Sequence, residues 1–162
     1  MRLLLALLFL PMLVCGQSAQ TVEMWREPDC YKHMVYLLTA TKGKLNDTCD
    51  FAIAPAAKDI YIIKTDYIKS LPDTANGYHI HLVDADSSQK MLYKLQREQQ
   101  TQVAIFYFAK WHHYLEYYQY WVMPVMAKKK KLQYGNQALK FHYFYRQDLS
   151  RFEFTKTECT SW

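Results

Sequence analysis

The residues of this chain with chemistry to offer are six histidines, four cysteines, a scatter of basic side chains and a dense aromatic set of 14 Tyr, 8 Phe and 4 Trp. His79 and His81 would share one face of an extended strand, a geometry that can hold zinc when a third ligand joins it. No third ligand stands at a recognisable spacing, and His33, His112, His113 and His142 read as core or surface histidines, so neither a metal nor another cofactor is expected. The sequence contains no Gly-x-Ser-x-Gly, no His-Glu-x-x-His and no phosphate-binding loop, so an enzyme is not expected either. Binding is the chemistry that remains. A pocket for a lipid acid would need a cation at its mouth, which Lys64, Lys94 or Arg97 could supply. Lys128 to Lys131 form a basic run that reads as a solvated loop able to touch heparin, an anionic membrane or an acidic partner. It has no nucleic-acid motif around it, so no nucleic-acid partner is expected.

These side chains must be carried by a chain that leaves the cytosol. Met1-Arg2 followed by the apolar run Leu3 to Leu13 and then small residues is the layout of a secretory leader. The run is too short for a span of roughly 20 apolar residues, and no later stretch is long and apolar enough, so no transmembrane segment is expected. Val14 and Gly16 suit the −3 and −1 positions of a cleavage site, whereas cutting after Ala19 would put Gln17 at −3. The expected organisation is therefore a leader over 1–16 and one secreted, extracellular domain over 17–162. Loss of Arg2 leaves 19 Lys and Arg against 15 Asp and Glu, a mild +4. Cys30, Cys49 and Cys159 remain, and an oxidising compartment makes at least one disulfide expected among their three possible pairings. A bond from Cys159 to either partner would tie down the C-terminal tail, closing a long loop at about 3–5 kcal/mol in the chain-entropy picture. Asn46-Asp47-Thr48 is an N-glycosylation sequon in a polar stretch, which makes a glycoprotein expected.

Few glycines and prolines and no repeat point to one domain, and β-branched and aromatic density points to strands. The pattern predicts strands over Met34–Thr41, Cys49–Ala54, Asp59–Ile68, Tyr78–Val83, Gln89–Arg97, Thr101–Phe108 and Tyr114–Met123, the last halted at Pro124. Asp84 to Ser88 reads as a hairpin turn, Thr21 to Lys32 as holding a turn of helix, Leu132 to Gln147 as a helix, and Phe152 to Thr157 as a last short strand. The expected fold class is mainly β: an eight-stranded up-and-down lipocalin-like β-barrel with a short N-terminal helical segment and one C-terminal α-helix. A β-sandwich is the main alternative.

Several segments together resemble a known family. Trp25, then Met34-Val35-Tyr36-Leu37-Leu38-Thr39-Ala40-Thr41, then Cys49-Asp50-Phe51-Ala52-Ile53, then Tyr117-Tyr118-Gln119-Tyr120-Trp121, and the tail Phe152 to Cys159 are similar to the tick salivary histamine-binding lipocalins. The resemblance implies a lipocalin barrel from tick saliva, a Cys49–Cys159 disulfide with Cys30 left over, and a cavity for a small ligand. The family's second cysteine pair has no counterpart here, and Gln119 stands where the family carries an acid two residues before the late tryptophan.

An amine such as histamine or serotonin needs a carboxylate and aromatic faces. Tyr36, Tyr93, Tyr107, Gln119 and Trp121 are the candidate ligand-binding residues, supplying aromatics and one polar group; Glu116 is the nearest acid, on the opposite face of its strand. The missing acid tilts the expectation towards a lipid mediator such as a leukotriene. The expected function is sequestration of a small host mediator in the barrel cavity. The alternative is a filled barrel whose loops bind a host protein such as a complement or clotting component. A void lined by aromatics would favour the first reading and a packed interior the second.

Overall fold

The computed structural model describes residues 24–41, 53–98, 102–113, 116–129 and 131–161. The chain is mainly β, with two helices. In order it runs β1 (Met24–Trp25), α1 (Glu27–Ala40), β2 (Asp59–Ile63), β3 (Thr74–Ala75), β4 (Tyr78–Val83), α2 (Ala85–Glu98), β5 (Val103–His113), β6 (Tyr117–Ala127), β7 (Leu132–Tyr134), β8 (Gln137–Arg146) and β9 (Arg151–Ser161). One sheet holds the strands in the order β1-β9-β8-β6-β5-β2-β4-β3, with β7 paired to β6 beside this path.

The sheet curls, and α1 shows why. This helix contacts β3 near one edge and β9 and β1 at the other. Six strand intervals separate β9 from β3, roughly 29 Å on a flat sheet, whereas a helix is only about 10 Å across. The sheet must wrap round the helix, giving a half-barrel with α1 in its concave face. The sequence supports the helix locally. Pro28 lies in its first turn with Glu27 and Asp29, which suit the positive end of the helix dipole. Cys30, Tyr31, Met34, Val35 and Leu38 form one buried face at helical spacing, packed on Ile60, Ile62, Phe106, Phe108, Tyr120, Val122, Phe141 and Tyr143.

This corrects the strand expected over Met34–Thr41. β-prone residues such as Val35, Tyr36 and Thr39 suggest extension, but here their burial follows helical periodicity and tertiary packing overrides propensity. A second correction concerns Gln89–Arg97, expected as a strand after a hairpin turn. It is helix α2. Asp84 caps it, its Oδ1 accepting hydrogen bonds from the backbone N–H of Asp86 (3.1 Å) and Ser87 (3.2 Å). Leu92 is fully buried against Ile63, Val103, Ile105, Val125 and Ala127 on the convex face. The helix expected over Leu132–Gln147 is instead β7 and β8, because Leu139, Phe141 and Tyr143 alternate into the core at a period of two. No described element forms a C-terminal helix.

The connectivity also differs from an up-and-down barrel. β2 is parallel to both β4 and β5, so α2 serves as the crossover between two strands that flank β2. From β5 onward, β5, β6, β8 and β9 form an antiparallel series, with β8 standing where a helix was expected. Tyr78–Val83 is a strand over the range read from sequence, while β5 and β9 extend beyond the ranges read for them and β2 stops short of its own. Pro124 does not halt β6. Its carbonyl accepts from Gly135 N–H at 2.8 Å, so its nitrogen faces the side where pairing passes from β8, at Val122, to β7, at Val125. The missing N–H costs little at that junction. Gly135 is required there, since a Cβ would sit 2.7 Å from the Pro124 ring.

Asn46, Cys49, most of the expected Cys49–Ala54 strand and the expected leader lie outside the described residues. Cys159 is disulfide-bonded, and Cys30 is a buried free thiol. No helix among the described residues is long and apolar enough to cross a membrane.

Candidate functional site

Among the described residues, the concave face is occupied by α1, packed on a layer of aromatic side chains. Tyr31, Tyr120, Tyr143, Phe108 and Phe141 are all essentially inaccessible. Tyr120 meets Tyr31 and Tyr143 edge-on, with ring centroids 5.2 and 5.3 Å apart. His33 Nδ1 and the Tyr143 hydroxyl share a 2.7 Å hydrogen bond that ties α1 to β8. Burial holds the Cys30 thiol and the Tyr31, Tyr120 and Tyr143 phenols far above their ordinary pKa values, so these groups stay neutral.

The convex face is different. α2 covers only one end of it, and between α2 and β6 lies an open groove of about 510 Å³, within the size range of ligand pockets. Tyr93, Met126 and Ala127 give it an apolar floor; Arg97 and Lys128 give it two cations; Gln96 lies between them. Gln96 is a brace. Its Oε1 accepts Ala127 N–H at 2.7 Å and its Nε2 donates to the Val125 carbonyl at 3.3 Å, fixing the helix to the strand. Among the described residues, no carboxylate lines this groove.

A second cavity, of about 270 Å³, opens beside the start of α1, between Glu27, Tyr31, Asp66, Tyr67 and Lys69. Carboxylates beside tyrosine rings are the chemistry of an ammonium site, and here the ammonium is the chain's own. Lys110 pairs with Glu27, and its Nζ lies 5.8 Å from the Tyr67 ring centre and 5.1 Å from that of Tyr118.

The residues singled out from sequence do not converge on one pocket. Tyr93 lines the convex groove. Tyr107 packs beneath α2 and meets Tyr134 edge-on at 5.1 Å, and burial raises its phenol pKa. Gln119 and Trp121 lie on β6 outside the groove, with Trp121 Nε1 donating to Gln119 Oε1 at 3.3 Å. Trp121 is five residues from Met126, about 17 Å along the strand. It stacks near Trp111 (5.6 Å) and under Lys140 (4.6 Å). Tyr36 is exposed on α1, where its carbonyl accepts a 3.0 Å hydrogen bond from Asn76. His81 is engaged by Asp59 at 2.8 Å and stacked on Tyr61 at 4.6 Å. No group of three or more metal-ligating side chains occurs among the described residues.

Gln96, Met126 and Lys128 do not stand out in the sequence as ligand residues, whereas Arg97 is one of the three cations expected to be able to serve the mouth of a lipid-acid pocket. The signal that could have found them is the 85–98 helix. Asp84 before Ser87 is a capping pattern, and Ala85, Ser88, Leu92 and Leu95 recur at helical spacing. Comparison with protein-family models, curated proteins and solved structures finds no match to this chain.

Proposed function

We propose that this chain is a secreted, lipocalin-like, non-catalytic binding protein that sequesters a small amphipathic acid, a lipid mediator of the leukotriene kind, in the groove between α2 and β6. The observation that carries the reading is the groove's composition: an apolar floor of Tyr93, Met126 and Ala127 beside Arg97 and Lys128, with no carboxylate among the described lining residues. A carboxylate head would pair with the cations while its hydrocarbon covers the floor. A biogenic amine is disfavoured by the same composition, and the acid-and-tyrosine cavity is already served by Lys110. The leader-like N-terminus and the stretches similar to tick salivary lipocalins support secretion and a scavenging role. The Asn46 glycan and the Cys49–Cys159 bond belong to this proposal. The site has moved from a barrel lumen to the outer face because α1 fills the inside.

A second reading is favoured by that same filling: a closed scaffold binding a host protein through exposed side chains such as Trp111, which is 54% accessible. Native mass spectrometry and thermal shift of the mature protein against leukotrienes, long-chain fatty acids, histamine and serotonin separate the two. A one-to-one complex with the acidic lipids, lost in Arg97→Glu, is expected. A well-folded protein that binds none of them would move the assignment to a protein partner.

A further inference from the structure

α2 carries Lys90, Lys94 and Arg97 at i, i+4 and i+7, which places them on one stripe of the helix. All three are exposed, and the stripe points away from Leu92, the residue that anchors the helix to the sheet. The stripe spans about 10 Å along the axis. The acids of α2 are confined to its two ends, Asp86 in the first turn and Glu98 as the last residue. Arg97 and Lys128 line the same groove, so the stripe runs on into the turn between β6 and β7. That turn is closed by Lys128 N–H donating to the Lys131 carbonyl at 2.8 Å. Lys128, Lys129 and Lys131 are all exposed. The lysines and arginine ion-paired among the described residues are Lys32, Lys110, Lys140, Arg146 and Lys156, none of them in this row. Six cations therefore form one narrow ridge from the middle of α2 to the β6–β7 turn.

We propose that this ridge is a docking surface for a linear sulfated glycan of the heparan type. Charge complementarity carries the choice. A row one cation wide along α2, continued by the cations of the β6–β7 turn, matches a single extended polyanion better than a planar membrane or the broad face of a nucleic-acid duplex. A membrane-binding helix would also need an apolar face turned outward, whereas Leu92 and Leu95 of α2 pack on the sheet and Met91 is the single large apolar side chain of the helix that is exposed. The lipid groove and the ridge share Arg97 and Lys128 and are otherwise separate. Docking would hold a secreted binder near cell surfaces while its groove takes up ligand.

The test is binding of the mature protein to heparin oligosaccharides at near-physiological salt, where charges screen over about 8 Å. It is compared with a Lys90→Glu/Lys94→Glu/Lys129→Glu/Lys131→Glu variant, whose substitutions avoid every groove-lining residue. The wild type is expected to bind heparin and to release it as salt rises, and the variant to lose affinity by about tenfold or more, as befits binding to a linear polyanion through its charges. An unchanged far-ultraviolet circular dichroism spectrum and unchanged fatty-acid binding would show the variant intact. Equal affinity of the variant, undiminished binding of desulfated heparin, or binding at least as tight to vesicles of equal parts phosphatidylcholine and phosphatidylserine or to duplex DNA would overturn the proposal. The heparin result reads out whether or not the groove binds lipid, so the two assignments fail separately.

Discussion

The two faces of this sheet have been put to different uses. The concave face holds α1 and a continuous layer of aromatic and aliphatic side chains, ordered by edge-on tyrosines and the His33–Tyr143 hydrogen bond. The convex face carries α2 over one end only, leaving a cationic groove beside the helix and a run of aromatic and charged residues beyond it. Curvature decides which face can be dry. A helix in the concave face meets strands from both edges and loses nearly all contact with water, while a helix on the convex face meets few strands and keeps an open flank. Stability should therefore reside in the first face and binding in the second.

The sharpest way to break that division is Leu38→Ala. Leu38 is fully buried in the concave core, and its truncation is expected to cost about 2–5 kcal/mol, read by urea denaturation. The folded fraction should bind acidic lipid with unchanged affinity. Reduced affinity per folded molecule would show that the faces are coupled.

Arg97→Glu is the converse. It removes a charge-assisted contact at an exposed position and is expected to weaken binding of a long-chain carboxylate by about 1.5–3 kcal/mol, roughly 10- to 100-fold, with little change in melting temperature. Calorimetric titration measures it, and equal affinity would remove Arg97 from the site.

Lys110→Met tests whether the ammonium cage beside α1 is structural. The Lys110 side chain is 18% exposed and that of Glu27 42%, so partial solvation limits the expected destabilisation to about 1–2 kcal/mol. The double variant with Glu27→Gln should be less destabilised than the sum of its parts. Additive effects would mean that the pair holds nothing.

The smallest effect concerns pH. Burial depresses the His142 pKa, with nearby Glu158 opposing. The unfolded chain therefore takes up a proton before the folded one does, and stability should decline as pH falls through about 6.5, the unfolded value. His142→Gln should flatten that decline in chemical denaturation across pH 5 to 7. An unchanged slope would assign the effect to another group.

How far the sequence could be read follows from these same faces. Tyr78–Val83 was legible because Tyr78 and Ile80 alternate into one core. β5, β6 and β9 were legible as strands, though not to their full lengths, since they are rich in aromatic and β-branched residues. α1 was not, because the choice between helix and strand rested on strands far away in sequence that close round it. α2 was misread when its capping Asp84 was taken for a hairpin turn. β8 is the converse, a strand where Leu132 to Gln147 reads as a helix, because Leu139, Phe141 and Tyr143 enter the core at a period of two. The candidate site was legible only in Tyr93, and in Arg97 as a possible cation. The groove exists because α2 is a helix braced by Gln96, so its remaining residues could not be assembled while that segment was read as a strand.

The division of labour between the faces is tested most directly by backbone amide chemical-shift mapping of the labelled mature protein during titration with a polyunsaturated long-chain carboxylate. Shifts concentrated at Tyr93 to Arg97 and Met126 to Lys128 are the expected result. Shifts concentrated instead at Met34, Leu38, Tyr120 and Phe141, with the convex groove silent, would mean that ligand enters the concave face by displacing α1, and would contradict the placement of the site.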